Sequence, residues 1–175
     1  MRHKIFTKNN YIKVAFIHLL REIHPKTDAC IVDIGSYTSL SELLDEIESD
    51  HLRYNRNIYI LKGTNIHSKV LEPFSTFGID DRLDDIKQLL ITENTIRWPN
   101  LKQHLIMTLE LSMMSEKEKQ IAWALSQHTD VSTIAKIENV NYKTIYSYIA
   151  IIARKLNLRH LNEVRAFITS EINNK

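Results

Sequence analysis

The sequence predicts two folds in series: an α/β unit with a short parallel sheet, then an all-α unit of four helices. Three observations carry this. Through residue 92, short β-branched runs alternate with amphipathic helical stripes, the pattern of a parallel sheet with crossover helices. From residue 113 onward only helical periodicity remains. Three Gly and three Pro among 175 residues leave few tight turns, which suits a helix-rich chain. The units are placed at 1–92 and 113–175, with a linker at 93–112.

In order, KIFT at 4–7 reads as a short strand. Residues 11–24 carry Ile12, Phe16, Leu19, Leu20 and Ile23 at helical spacing, and Pro25 ends that helix. ACIVDIG, 29–35, is an apolar run of strand length. In SLSELLDEIES, 39–49, Ser39 and Glu42 have the spacing of a capping box, and Leu40, Leu43, Leu44 and Ile47 form a buried stripe. NIYIL, 57–61, is another strand; a helical piece around 69–74 and a short strand near 76–79 follow. RLDDIKQLL, 82–90, is amphipathic, with Asp80 and Asp81 expected to cap it and favour its positive N-terminal end. Trp98-Pro99-Asn100 breaks the pattern, and Leu101, Leu105, Ile106, Leu109 and Leu111 form a helical or extended connector.

The second unit opens on a capping box, Ser115 with Glu118, behind which Ile121, Ala122 and Leu125 face inward. His128-Thr129-Asp130 interrupts, and Val131 or Ser132 begins a short helix containing Ile134, Ala135 and Ile137. Glu138-Asn139-Val140-Asn141 turns the chain: Asn139 tolerates a left-handed φ, and Asn141 is a good N-cap. In the next helix Ile145, Ile149, Ile152 and Leu156 fall on one line and form the core face. Lys143, Tyr146, Ser147, Ala150, Arg154 and Lys155 point elsewhere. A fourth helix, 162–172, carries Val164, Phe167, Ile168 and Ile172 on one face. Short helices with a tight turn before the third are the pattern of a helix-turn-helix module.

Bulk properties narrow the class without naming a partner. Hydrophobic residues make up 43% and charged residues 25%, enough for real cores. The net charge is +2; from Ser112 on, nine Lys/Arg face six Asp/Glu (+3), and the remainder has fourteen against fifteen (−1). Nucleic-acid binding by the second unit is permitted, not required. Cys30 is the single cysteine, so neither an intrachain disulfide nor a cysteine-based zinc site forms. The first residues lack the long apolar run of a secretory signal, and no stretch approaches the ~20 apolar residues of a membrane span. A bacterial-type cytoplasmic location, nucleoid-associated when bound to DNA, is the expectation. The His residues show no H-E-x-x-H spacing, and P-loop, G-x-S-x-G and G-x-G-x-x-G runs do not occur. No catalytic constellation, cofactor site or metal site is expected.

Residues 114–168 resemble the C-terminal DNA-binding domain of LuxR-type (GerE-type) bacterial regulators. The resemblance lies in Met114-Ser115-Glu116-Lys117-Glu118-Lys119-Gln120-Ile121, in Ile134-Ala135, in Val140-Asn141-Tyr142-Lys143-Thr144-Ile145, and in Ile152 with Lys155-Leu156-Asn157-Leu158. Four residues depart from the family pattern: Glu138 replaces an apolar residue, Asn139 a common Gly, Asn141 a common Ser and Tyr148 a common His. The first unit resembles, more distantly, a shortened receiver domain of the response-regulator type. Asp33, at the end of its strand, stands where a phosphoacceptor would be. Lys8-Asn9-Asn10 stands where a working receiver holds Mg²⁺ with acidic residues, and no Lys follows Phe77-Gly78-Ile79. Auxiliary regulators of the capsule, curli and acid-resistance types resemble this layout.

The resemblance implies a sequence-specific, phosphorylation-independent transcription regulator that binds double-stranded DNA. It would act as a homodimer or with a partner LuxR-type response regulator, the α/β unit mediating the pairing. The expected contacts are Tyr146, Ser147 and Ala150 to base edges, and Lys143, Thr144, Tyr148, Arg154 and Lys155 to phosphates, with Asn141 capping the helix that carries them. Val164, Phe167 and Ile168 are either core or a dimer face. Asp33 reads better as an ordinary strand-end carboxylate than as a phosphoacceptor. Asp80, Asp81, Asp84 and Asp85 read better as helix-terminus charges than as a metal cluster. The alternative is an interaction factor that pairs with, or antagonises, another response regulator and binds little DNA itself. A sigma-like promoter-binding domain is a third reading, with RNA polymerase as its partner.

Overall fold

The computed structural model describes residues 3–23, 28–49, 57–92, 96–128 and 130–173. Pro25 and Thr129, each expected to interrupt a helix, lie outside the described residues. The chain forms two compact units, Met1–Leu105 and Ile106–Lys175.

The first unit is built on four parallel strands, β1 (Lys4–Phe6), β2 (Ala29–Asp33), β3 (Asn57–Lys62) and β4 (Phe77–Gly78), hydrogen-bonded in the order β1-β2-β3-β4. Both central strands are buried on both faces, which explains why they read as continuous apolar runs rather than alternating ones. On one face, α1 (Asn10–Ile23) and α4 (Leu83–Ile91) lay Phe16, Leu19, Leu20, Ile86 and Leu90 over Ala29, Ile31, Tyr59 and Leu61. The opposite residues Cys30, Val32, Ile58 and Ile60 are sealed as well, and α2 (Leu40–Ser49) brings Leu40, Leu43 and Ile47 to that side. The chain steps in one direction from β1 to β3, yet α1 and α2 lie on opposite faces, so the two crossovers differ in hand. Crossovers are almost always right-handed. The order is that of a doubly wound 2-1-3-4-5 sheet with its second strand removed.

Several local expectations change. The strand at 29–35 stops at Asp33, and Ile34–Ser36 forms a 3-10 turn. The Ser39–Glu42 box is half made: Ser39 Oγ accepts Glu42 N–H at 3.0 Å, but the Glu42 carboxylate reaches Thr38, accepting from its N–H and hydroxyl at 2.9 Å. The helical piece near 69–74 is a short helix α3 (Ile66–Val70) followed by a 3-10 turn. Asp80 and Asp81 do not cap α4: Arg82 holds the N-cap position, and Asp81 instead accepts the Gly78 N–H at 2.7 Å. The connector at 93–112 contains a full helix, α5 (Trp98–Leu109). Trp98-Pro99 starts that helix instead of breaking one, because the first turn has no use for the proline N–H. The division between the units falls within α5.

The second unit holds α6 (Glu116–Gln127), α7 (Val131–Ile137), α8 (Tyr142–Lys155) and α9 (Leu161–Asn173). Ile121, Leu125, Ile134, Ile145, Ile152 and Leu156 close its core. Val164, Phe167 and Ile168 belong to that core at 0%, 0% and 4% exposure. α9 packs against both α6 and α8, so these residues serve the core; Phe167 and Ile168 also line an apolar groove with Trp123 and Ile172.

Candidate nucleic-acid interface

Each end of the helix pair α7–α8 is fixed by a local device. Asp130 accepts the N–H groups of Ser132 and Thr133 at 3.1 and 2.9 Å, and these bonds hold its carboxyl below the usual range. α7 ends with Asn139 at φ 52°, Asn139 N–H bonded to Lys136 O and Val140 N–H to Ala135 O. That is a Schellman motif, and asparagine tolerates its left-handed residue. Asn141 Oδ1 then accepts Lys143 N–H at 2.8 Å and opens α8. Asn157, at φ 55°, closes α8 with the same motif.

With α8 anchored by Ile145, Ile149, Ile152 and Ala153, Lys143, Ser147, Ala150 and Arg154 fall on one exposed line. Eleven residues separate its ends, about 16 Å at the rise of an α-helix. Small side chains occupy its middle and a cation stands at each end. Among the described residues, Lys143 and Arg154 have no carboxylate within ion-pair distance. Ser147 donates to Lys143 O at 3.1 Å and keeps its lone pairs outward. Tyr146 is 50% exposed beside this line, Thr144 is exposed in the first turn, and Tyr148 is half-buried on the flank.

Lys155 is placed differently from expectation. Its ammonium donates to Glu118 Oε2 at 2.7 Å and to Met113 O at 2.9 Å, so it braces α8 against the start of α6 instead of facing outward. The Lys155 hydrogen bond, with those from Ser115, holds the Glu118 carboxyl below the ordinary carboxylate range. Glu118 also completes the capping box, accepting Ser115 N–H at 2.7 Å while Ser115 Oγ accepts Glu118 N–H at 3.4 Å. Glu138, one of the four departures from the family pattern, pairs with Lys117 at 2.6 Å.

Sequence reasoning missed Tyr142, 51% exposed at the first position of α8, and Lys136, exposed on α7. Both line a shallow groove with Ser132, Asn139 and Asn141. The signal for Tyr142 was present: it lies one turn before Tyr146 on the same side.

At the crest of the sheet a cleft of about 830 Å³ opens between Asp33, Lys8, Asn9, Asn10, Gly63, Thr64 and Asp80. Gly35 and Gly63 abut there: a Cβ on Gly63 would stand 2.7 Å from Gly35 Cα. Asp33 is 3% exposed and accepts the Thr7 hydroxyl at 2.6 Å. The residues around it do not suit Mg²⁺, which needs several hard oxygen ligands in octahedral geometry. Lys8 pairs with Glu42, and Asn9 Oδ1 caps α1 through Tyr11 and Ile12 N–H at 2.9 and 3.3 Å.

No known family profile matches the sequence, and no curated protein matches it. Among solved structures, the chain is similar to full-length FixJ from B. japonicum, with 12% identity, a TM-score of 0.35, and coverage of 97% of this chain and 96% of that one. At that score the likeness carries no argument about function.

Proposed function

We propose that this chain is a sequence-specific DNA-binding regulator whose reading surface is the exposed face of α8. The supporting observation is the line Lys143, Ser147, Ala150 and Arg154. Its small centre lets the helix approach the floor of a major groove about 12 Å wide, and its terminal cations reach the flanking phosphates. Tyr146, Ser147 and Ala150 are assigned to base edges; Lys143, Thr144 and Arg154, with Lys136 added, to phosphates. Lys155 is a brace. Phosphoryl transfer to Asp33 has no part in this reading, because the neighbouring groups supply one ammonium and two amides where carboxylates are needed.

A second reading is favoured by the engagement of Lys117, Lys119, Lys155 and Arg165 inside the unit, which leaves few outward cations. It makes the chain a partner or antagonist of another regulator, with little DNA affinity of its own. Retardation of promoter DNA by the purified chain alone separates the two: retardation supports the first, and retardation only with a co-expressed partner regulator supports the second.

A further inference from the structure

We propose that the second unit binds a small, uncharged aromatic molecule carrying one O–H or N–H group, in the groove between the end of α5, α6 and α9. This site is independent of the DNA-binding reading.

The groove lies wholly within the second unit and has a volume of about 510 Å³, the size of a small-molecule pocket. Leu109, Leu111, Trp123, Phe167 and Ile172 make its lining largely apolar. Trp123 is 56% exposed between the buried Ala122 and Ala124, so its ring is left outside the core and supplies a face for stacking. One polar group in the lining is unsatisfied. Thr108 is 1% exposed, and its hydroxyl has no hydrogen-bond partner among the described residues. A buried hydroxyl without a partner is destabilising, and folded proteins tolerate few of them. An O–H or N–H group on a molecule in the groove supplies the missing partner.

The turn after α5 is a second, separate sign. Ser112 N–H bonds to Met107 O at 3.0 Å and Leu111 N–H to Thr108 O at 3.2 Å, a Schellman motif with Leu111 at φ 51°. The matching residues after α7 and α8 are Asn139 and Asn157, and asparagine tolerates this conformation. Leucine does not, yet here its side chain lines the groove. The apolar wall is kept although it strains the backbone, a combination found at ligand sites. Charge decides what the molecule lacks. Glu110 and Glu171 border the groove, and the Lys119 ammonium is paired with Glu116 at 3.1 Å. Two carboxylates repel an anion, and the apolar lining penalises the desolvation of a cation. A neutral ring with one donor group meets both conditions.

Isothermal titration calorimetry of the full chain without DNA, with 2-naphthol as the probe, tests this. Saturable one-to-one binding with a Kd of about 1 mM or tighter is expected for a molecule of this size. The anion 2-naphthoate, with the same rings, should bind about tenfold more weakly or not at all. Thr108→Val, which keeps the shape and removes the hydroxyl, should weaken 2-naphthol by about threefold to tenfold. Leu111→Asn should also weaken it, without lowering the melting temperature, because the strain at φ 51° is relieved. Circular dichroism of each variant checks that the fold persists. A folded wild-type chain with no saturable binding overturns the proposal. So does 2-naphthoate binding as tightly as 2-naphthol, or an affinity unchanged in both folded variants. A Leu111→Asn chain that melts earlier overturns it as well, because the leucine would then serve packing within the unit.

Discussion

Glu118 shows how one side chain can serve two elements. Its carboxylate caps α6 and receives the Lys155 ammonium from the end of α8, with only 8% of the side chain exposed. Because its folded pKa is depressed, its contribution is complete above the ordinary glutamate range and is lost as pH falls through the lowered value. Glu118→Gln should therefore flatten the acid limb of the stability–pH curve, read from thermal melts. Glu118→Ala should cost on the order of 2–3 kcal/mol, low for a broken buried pair because Lys155 keeps some access to water. Asn139 offers a second check: Asn139→Ala, at φ 52°, should cost about 1 kcal/mol in denaturant unfolding. The cap chemistry at Ser115, Asn139 and Asn141 could be read from the sequence because it depends on residues two to five apart. The Lys155–Glu118 pair could not, since the partners lie 37 positions apart and only the fold brings them together.

At the scale of elements, the core line of α8 followed from its periodicity, and so did the face left outside. The fate of individual cations on that face did not follow: Lys143 and Lys155 are both basic and both amphipathic in position, yet one is outward and one is a brace. Lys143→Ala should weaken binding to all DNA sequences about equally and lower the salt slope of log K by roughly one. Lys155→Ala should lower thermal stability, with a DNA effect that tracks the loss of folded protein. An unchanged salt slope in folded Lys143→Ala would remove α8's first turn from the interface. The capping of α4 was misread because Asp80 and Asp81 lie within reach in sequence, while the chain turns at Gly78 and takes the Asp81 carboxylate for itself.

For the whole molecule, the order of strands and helices was legible, whereas the sides on which α1 and α2 lie were not, since apolar stripes carry no record of which sheet face they cover. The division between the units falls inside the connector expected at 93–112, but that connector is helical from Trp98, because Trp98-Pro99 reads as a break and acts as a helix start. On the proposed reading, control falls to abundance, a partner or a small ligand of the α/β unit, because Lys8, Asn9 and Asn10 stand beside Asp33 at the crest of the sheet. Acetyl phosphate with Mg²⁺ should leave Asp33 unmodified by intact mass, and Asp33→Asn should keep DNA binding; stoichiometric labelling would show that the crest still works as a receiver. The central claim, that α8 reads sequence, is tested most directly by selecting binding sites from random duplex DNA with the full chain. The same selection is then run with the double variant Tyr146→Ala/Ser147→Ala, its fold confirmed by circular dichroism. The account predicts one enriched motif for the wild type and a changed or relaxed motif for the variant, each lost base contact costing about 1–3 kcal/mol. No enrichment by the wild type, or the same motif from both proteins, would contradict it.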